Sequence, residues 1–219
     1  GGEAPNVVPD YAQVYYYLRN PDADMVRSIW ERMEAAAKGA AAGTGTSVDW
    51  EIMHGNLSML PNRLIAGLMQ KNLERLGGFS YTDEEKVFAE SIYQTLTTPQ
   101  FELGSQQQVF ATDTAVSMGS TDVGDISWNV PTAEFTTATW VPGTPAHSWQ
   151  AIAAGGTDIG IKGLQLAAKT LALTAADIFE NPGLAVEARA EFLEQRGADF
   201  KYAPLLGDRA PALDYRLKP

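Results

Sequence analysis

The chain has 219 residues, 45% of them hydrophobic and 20% charged, which is enough length and apolar content for one large folded domain or two small ones. Its formal net charge of −11 argues against nucleic acid or an anionic membrane as partner, because such a surface repels phosphate rather than releasing its counterions. With no cysteine, the chain makes no disulfide, thiolate metal site or cysteine nucleophile, and it holds no run of about 18 apolar residues to span a bilayer.

The opening, Gly1-Gly2-Glu3-Ala4-Pro5, has neither an initiator methionine nor a signal peptide. A chain that starts on Asn6-Val-Val-Pro9 and then a strand is expected to be cut from something longer. Residues 11–19 alternate in the period of a strand, with Ala12, Val14, Tyr16 and Leu18 on one face. Asn20-Pro21-Asp22 turns the chain, and Asp24 is the expected cap of a helix carrying Val26, Ile29, Met33 and Ala37 at helical spacing. That helix is expected to dissolve in the glycine-containing connector 38–45, with a second strand over 47–53.

The composition changes near Pro61. Residues 63–76 read as a helix stopped by Gly77-Gly78. Thr82-Asp-Glu-Glu85 is a capping box opening a helix with Phe88, Ile92 and Leu96 as its buried stripe. Residues 100–125 are rich in turns, and residues 132–141 are β-branched and aromatic, hence a strand. Residues 157–179 form the longest helix, with Ile161, Leu164, Ala168, Leu171, Ala175 and Ile178 on one face. Gly160 and Gly163 within it mark a place where another backbone packs closely. A last helix follows over 182–196, and the tail after Gly197 is irregular.

Few side chains suggest chemistry. His147 is one of two histidines, in Val141-Pro-Gly-Thr-Pro-Ala-His147-Ser-Trp149 between a strand and a helix, where open α/β sheets place their sites. Taken alone it reads as a histidine hydrogen-bonded in a loop. Arg19 ends the first strand, either as a planar fork for a carboxylate or as a solvated strand-end residue. Asn6 either bonds a substrate or stabilises a turn. Asp122 and Asp125 share a polar loop, either as part of a metal site or its surroundings or, as acids in such loops ordinarily are, solvated. The Glu84-Glu85 pair belongs to the capping box and not to catalysis, and His54 reads as structural. Gly155-Gly156, ahead of the long helix, has no lysine followed by serine or threonine to make it a phosphate loop, and no Gly-x-Ser-x-Gly elbow occurs.

Taken together, these segments resemble a known family. Gly1-Gly-Glu-Ala-Pro-Asn6-Val-Val-Pro9 followed by Arg19 is similar to the second half of the lid domain of the aminoacylase and carboxypeptidase family of dinuclear metallo-amidohydrolases. Gly119-Ser-Thr-Asp122-Val-Gly-Asp125-Ile-Ser127, Gly143-Thr-Pro-Ala-His147-Ser-Trp-Gln150 and Gly160-Ile-Lys-Gly-Leu-Gln-Leu-Ala-Ala-Lys-Thr170 resemble one branch of it, which hydrolyses p-aminobenzoyl-glutamate.

The resemblance implies an α/β fold: residues 1–60 as half of a small α/β-sandwich lid, through which subunits pair as a homodimer, and 61–219 as the C-terminal part of a zinc-peptidase-like α/β catalytic domain. It implies a cytoplasmic enzyme that uses two divalent metal ions, zinc or manganese, to hydrolyse the amide bond of an N-acyl amino acid. His147 matches the family's last metal ligand, Arg19 the lid arginine that binds the substrate carboxylate, and Asn6 a lid asparagine at the site. Asp122 and Thr144 would stand behind the ligands at most. The family's other ligands and its glutamate base precede the lid and match nothing here, so no catalytic residue is expected in this chain, which by itself is expected to be inactive without the missing N-terminal half. The alternatives are an aminoacylase or dipeptidase with the same machinery, or a non-catalytic dimerisation or binding module that has kept the fold.

Overall fold

The computed structural model describes residues 4–113, 119–210 and 213, so the Gly1-Gly2-Glu3 part of the lid-like motif lies outside the described residues. The chain divides into two compact units, one of Gly1–Ser58 with Pro204–Pro219 and the other of Met59–Ala203. Among the described residues the architecture is helical and contains no strand. The one recorded β-bridge is isolated and parallel, between Pro61 and Thr132.

In the first unit, helix α1 spans Ala23–Thr44. Its cap is Asp22 rather than the expected Asp24. The extended backbone of Asp22 (φ −93°, ψ 119°) lets its carboxylate accept from the amides of Asp24 and Met25 at 2.8 and 3.4 Å. Asp24 instead sits in the first turn and pairs with Arg27 at 2.7 Å. The helix also runs through the expected connector, stopping only at Gly45 (φ 67°). Gly39 and Gly43 each weaken it by about 1 kcal/mol, but the alanines between them are the best helix formers. Thr44 Oγ1 adds a bond to the Ala40 carbonyl at 2.9 Å.

The strands expected over 11–19 and 47–53 do not form. A strand exists only as part of a ladder, and no described segment pairs with either one. Their apolar side chains remain largely outside: Val14 and Tyr17 are each 66% exposed.

The second unit packs helices α2 (Arg63–Leu76), α3 (Asp83–Tyr93), α5 (Trp149–Gly155), α6 (Asp158–Glu180) and α7 (Gly183–Arg196), with the short α4 (Val123–Ser127) between α3 and α5. Asn62 caps α2 by accepting from the Ile65 amide at 3.0 Å, while its Nδ2 donates to the Ala188 carbonyl of α7 at 2.8 Å. Glu191 of α7 accepts from the Arg63 and Leu64 amides at 2.7 and 3.0 Å, so two amides that no intrahelical carbonyl can reach are satisfied by a neighbouring helix. Buried Asn72 donates to Asp177 at 2.7 Å and to Thr174 at 3.3 Å, joining α2 to α6.

The capping box of α3 is present in both directions, Glu85 N to Thr82 Oγ1 at 3.2 Å and Thr82 N to Glu85 at 2.7 Å. Its Ile92 joins Tyr81, Ala89, Val141, Ala154 and Ile159 in the core. The helix ends at Tyr93, so Leu96 lies past its last turn. The predicted strand over 132–141 is absent among the described residues: only Thr132 pairs, in the isolated bridge to Pro61, and part of the run packs on α6. A Cβ on Gly163 would collide with the Ala138 carbonyl, and Thr137 Oγ1 donates to the Gly163 carbonyl at 2.9 Å. Gly160 likewise faces the Gly155 backbone, as the two glycines led one to expect.

The face that α6 buries differs from the predicted one. Ile159, Gly160, Gly163, Thr170 and Thr174 are buried, whereas Ile161, Leu164 and Leu171 of the apolar stripe are 46%, 59% and 50% exposed. Gly160 and Gly163 take inner positions where close backbone approach requires them, and each buried threonine satisfies its hydroxyl on the carbonyl four residues back, at 2.9 Å.

Candidate functional site

Residues 141–150 connect the core to α5. Val141, 1% exposed, anchors the segment, and Thr144 N closes a turn on the Val141 carbonyl at 3.1 Å. Gly143 adopts φ 81°, and a Cβ there would stand 2.7 Å from Pro99 Cβ and 3.0 Å from the Phe101 carbonyl, so glycine is required both by conformation and by contact. Ser148 caps α5: its Oγ accepts from the Ala151 amide at 3.2 Å and donates to the Pro145 carbonyl at 2.7 Å. Buried Gln150 donates from Nε2 to Thr95 Oγ1 at 3.2 Å.

Between these anchors His147 is exposed and has φ 59°, the one described non-glycine residue in the left-handed region. A held, left-handed histidine at a loop apex is an unusual backbone state of the kind that clusters at functional positions. Beside it, Thr144 Oγ1 is buried and has no hydrogen-bond partner.

The other predicted residues are spread over both units. Asn6 lies in a turn closed by Val7 N on the Ala4 carbonyl at 3.1 Å, and Asn6 is exposed. The Arg19 guanidinium stands over the Tyr17 ring, 5.0 Å from its centroid. Both belong to the first unit, whereas Asp122, Thr144 and His147 belong to the second. Asp122 is exposed at the start of α4 and makes no side-chain cap. Its neighbour Asp125 accepts from Tyr202 Oη at 3.0 Å, and burial followed by this bond raises the Tyr202 phenol.

Among the described residues, no group of three His, Cys, Asp or Glu side chains lies close enough to hold a metal ion. One imidazole is too few for a catalytic metal, which takes about three protein ligands. His147 has the right chemistry for one donor of such a set, and the described residues do not supply the rest.

A cluster that sequence reasoning missed lies where α3 meets α6. Lys162 Nζ pairs with Glu85 at 2.5 Å and donates to the Ser80 carbonyl at 3.2 Å. Burial works to raise the Glu85 carboxyl, but the Lys162 hydrogen bond, the Thr82 amide and the Lys162 charge together hold it below its ordinary value. Tyr81 beside it is pushed up to about 12, first by burial and then by the Glu85 charge. The capping box accounted for Glu85 in the sequence; nothing local in that sequence pointed to a partner as distant as Lys162.

No protein-family model matches the chain, and no solved structure matches it. Curated proteins do. The chain is 33% identical to a p-aminobenzoyl-glutamate hydrolase subunit of Escherichia coli (strain K12), over 97% of this chain and 49% of that protein. It is 28% identical to the Xaa-Arg dipeptidase of Mus musculus and 26% identical to that of Homo sapiens, each over 88% of this chain and 38% of the relative. The chain thus spans about half the length, or less, of the curated relatives it matches. It is a homologue of these proteins, which are named as a hydrolase subunit and as dipeptidases.

Proposed function

We propose that this chain is the C-terminal portion of a metal-dependent amidohydrolase that cleaves the amide bond of an N-acyl amino acid, with p-aminobenzoyl-glutamate or a close analogue as substrate. Residues 1–60 are then the second half of a lid that pairs subunits, and 61–219 the end of the catalytic domain. Bound divalent metal, zinc or manganese, supplies an activated water in such chemistry. Within this chain His147 would contribute one metal ligand, Arg19 would bind the substrate carboxylate through its fork, and Asn6 would hydrogen-bond near it. The observation that carries the reading is the match, over 97% of this chain and 49% of the relative, to a p-aminobenzoyl-glutamate hydrolase subunit, together with His147 presented on an exposed, anchored loop. The chain by itself, with one ligand and no base, is proposed to be inactive.

The test is metal content and p-aminobenzoyl-glutamate hydrolysis by the longer protein, with and without His147→Ala. Loss of metal and of turnover is expected. A variant with full metal content and full activity would remove His147 from the ligand set. A second reading, a dipeptidase with the same machinery, is favoured by the similarity to Xaa-Arg dipeptidases; dipeptides with a C-terminal arginine, tested beside p-aminobenzoyl-glutamate, separate the two by kcat/KM.

A further inference from the structure

We propose that the turn after α3, residues 95–101, is a platform that positions the His147 imidazole, with Thr95 and Gly143 as positioning residues. The inference rests on the reading of His147 as a chemical residue. It is carried by two fastenings, one on each side of that histidine.

On the N-terminal side, Gly143 presses its bare Cα face on Pro99 and on the Phe101 carbonyl. That carbonyl is itself fixed by Tyr93 Oη, which donates to it at 3.2 Å. On the C-terminal side, buried Gln150 reaches Thr95 Oγ1 at 3.2 Å, and the same hydroxyl donates onward to the Ile92 carbonyl at 2.7 Å. Thr95 therefore acts as a relay from core helix α3 to the first turn of α5. Between the two fastenings the chain is held by its own turn and by the Ser148 cap, and His147 takes up its left-handed conformation there. Releasing either fastening lets the loop relax toward ordinary backbone angles, which swings the imidazole. A displacement of about 1 Å at a reacting group costs on the order of a hundredfold in rate, so the platform matters wherever His147 does.

The experiment follows the imidazole NMR signals of this chain. It has two histidines, and His54 in the other unit serves as internal reference, with a His54→Gln variant assigning the signals. Thr95→Val and Gly143→Ala are expected to shift the His147 signals and leave those of His54 in place. Thr95→Ser, which keeps the hydroxyl, is expected to restore the wild-type position. Unshifted His147 signals in Thr95→Val, or an equal shift in Thr95→Ser, would overturn the proposal. If Gly143→Ala fails to fold, the threonine pair still decides. The readout is the imidazole itself, so it stands apart from the outcome of any hydrolysis assay.

Discussion

Lys162 of α6 and Glu85 of α3 form an ion pair at 2.5 Å, with side chains only 29% and 12% exposed. Because Glu85 also closes the capping box, one carboxylate joins a helix start to a neighbouring helix. Replacing Lys162 by methionine removes the partner and leaves Glu85 partly buried. A loss of about 1–3 kcal/mol in urea unfolding is expected, above the range of a surface pair. A loss under about 0.5 kcal/mol would mean that the pair is screened like an exposed one.

The same pair sets an acid limb. The folded Glu85 carboxyl lies below its ordinary 4.5, so its contribution is fully present above about that pH and disappears as pH falls through the lower folded value. Unfolding free energy measured from pH 6 downward should fall less steeply on the acid side in Lys162→Met than in the wild type.

Tyr81 gives the opposite limb. Its folded phenol titrates at about 12 against an ordinary 10.0, so its stabilisation holds below pH 10 and is lost as pH rises from there through the folded value. Its buried hydroxyl has no hydrogen-bond partner. Tyr81→Phe should therefore be neutral or stabilising by up to about 1 kcal/mol at pH 7 and should flatten the alkaline loss. Destabilisation beyond about 1 kcal/mol would show that the hydroxyl is bonded after all.

Gly163 touches the Ala138 backbone so closely that a methyl cannot be added without a shift. Gly163→Ala gains helix propensity of about 1 kcal/mol but forces overpacking that costs about 1–3 kcal/mol, and a net fall in Tm is expected. Leu164→Glu, next along the helix and 59% exposed, should change stability by about 0.5 kcal/mol or less.

In the longer protein, Arg19→Ala should raise KM for a substrate with a free carboxylate by about tenfold or more, with a smaller effect on kcat, as loss of uniform substrate binding does. Unchanged kinetics with such a substrate would place the carboxylate elsewhere.

Local sequence determined what depends on near neighbours. The Thr82–Glu85 capping box, the start and stop of α2, and the close approach at Gly160 and Gly163 are present as read, because each follows from bonds or volumes within a turn or from the absence of a side chain. The Gly143–Gln150 segment, too, was legible as a loop presenting a histidine. Only the tertiary structure decided what depends on distant partners. Residues 11–19 alternate like a strand, yet alternation cannot supply the neighbour that makes a ladder. The run 132–141 carries strand residues, but beyond the Pro61–Thr132 bridge no described segment completes a ladder with it. The apolar stripe of α6 predicted an inner face, but Ile159, Gly160, Gly163, Thr170 and Thr174 are the residues buried, the two glycines where another backbone comes close. Lys162 and Glu85, like the platform beneath His147, join residues that are remote in the chain, and no local pattern records such a pairing.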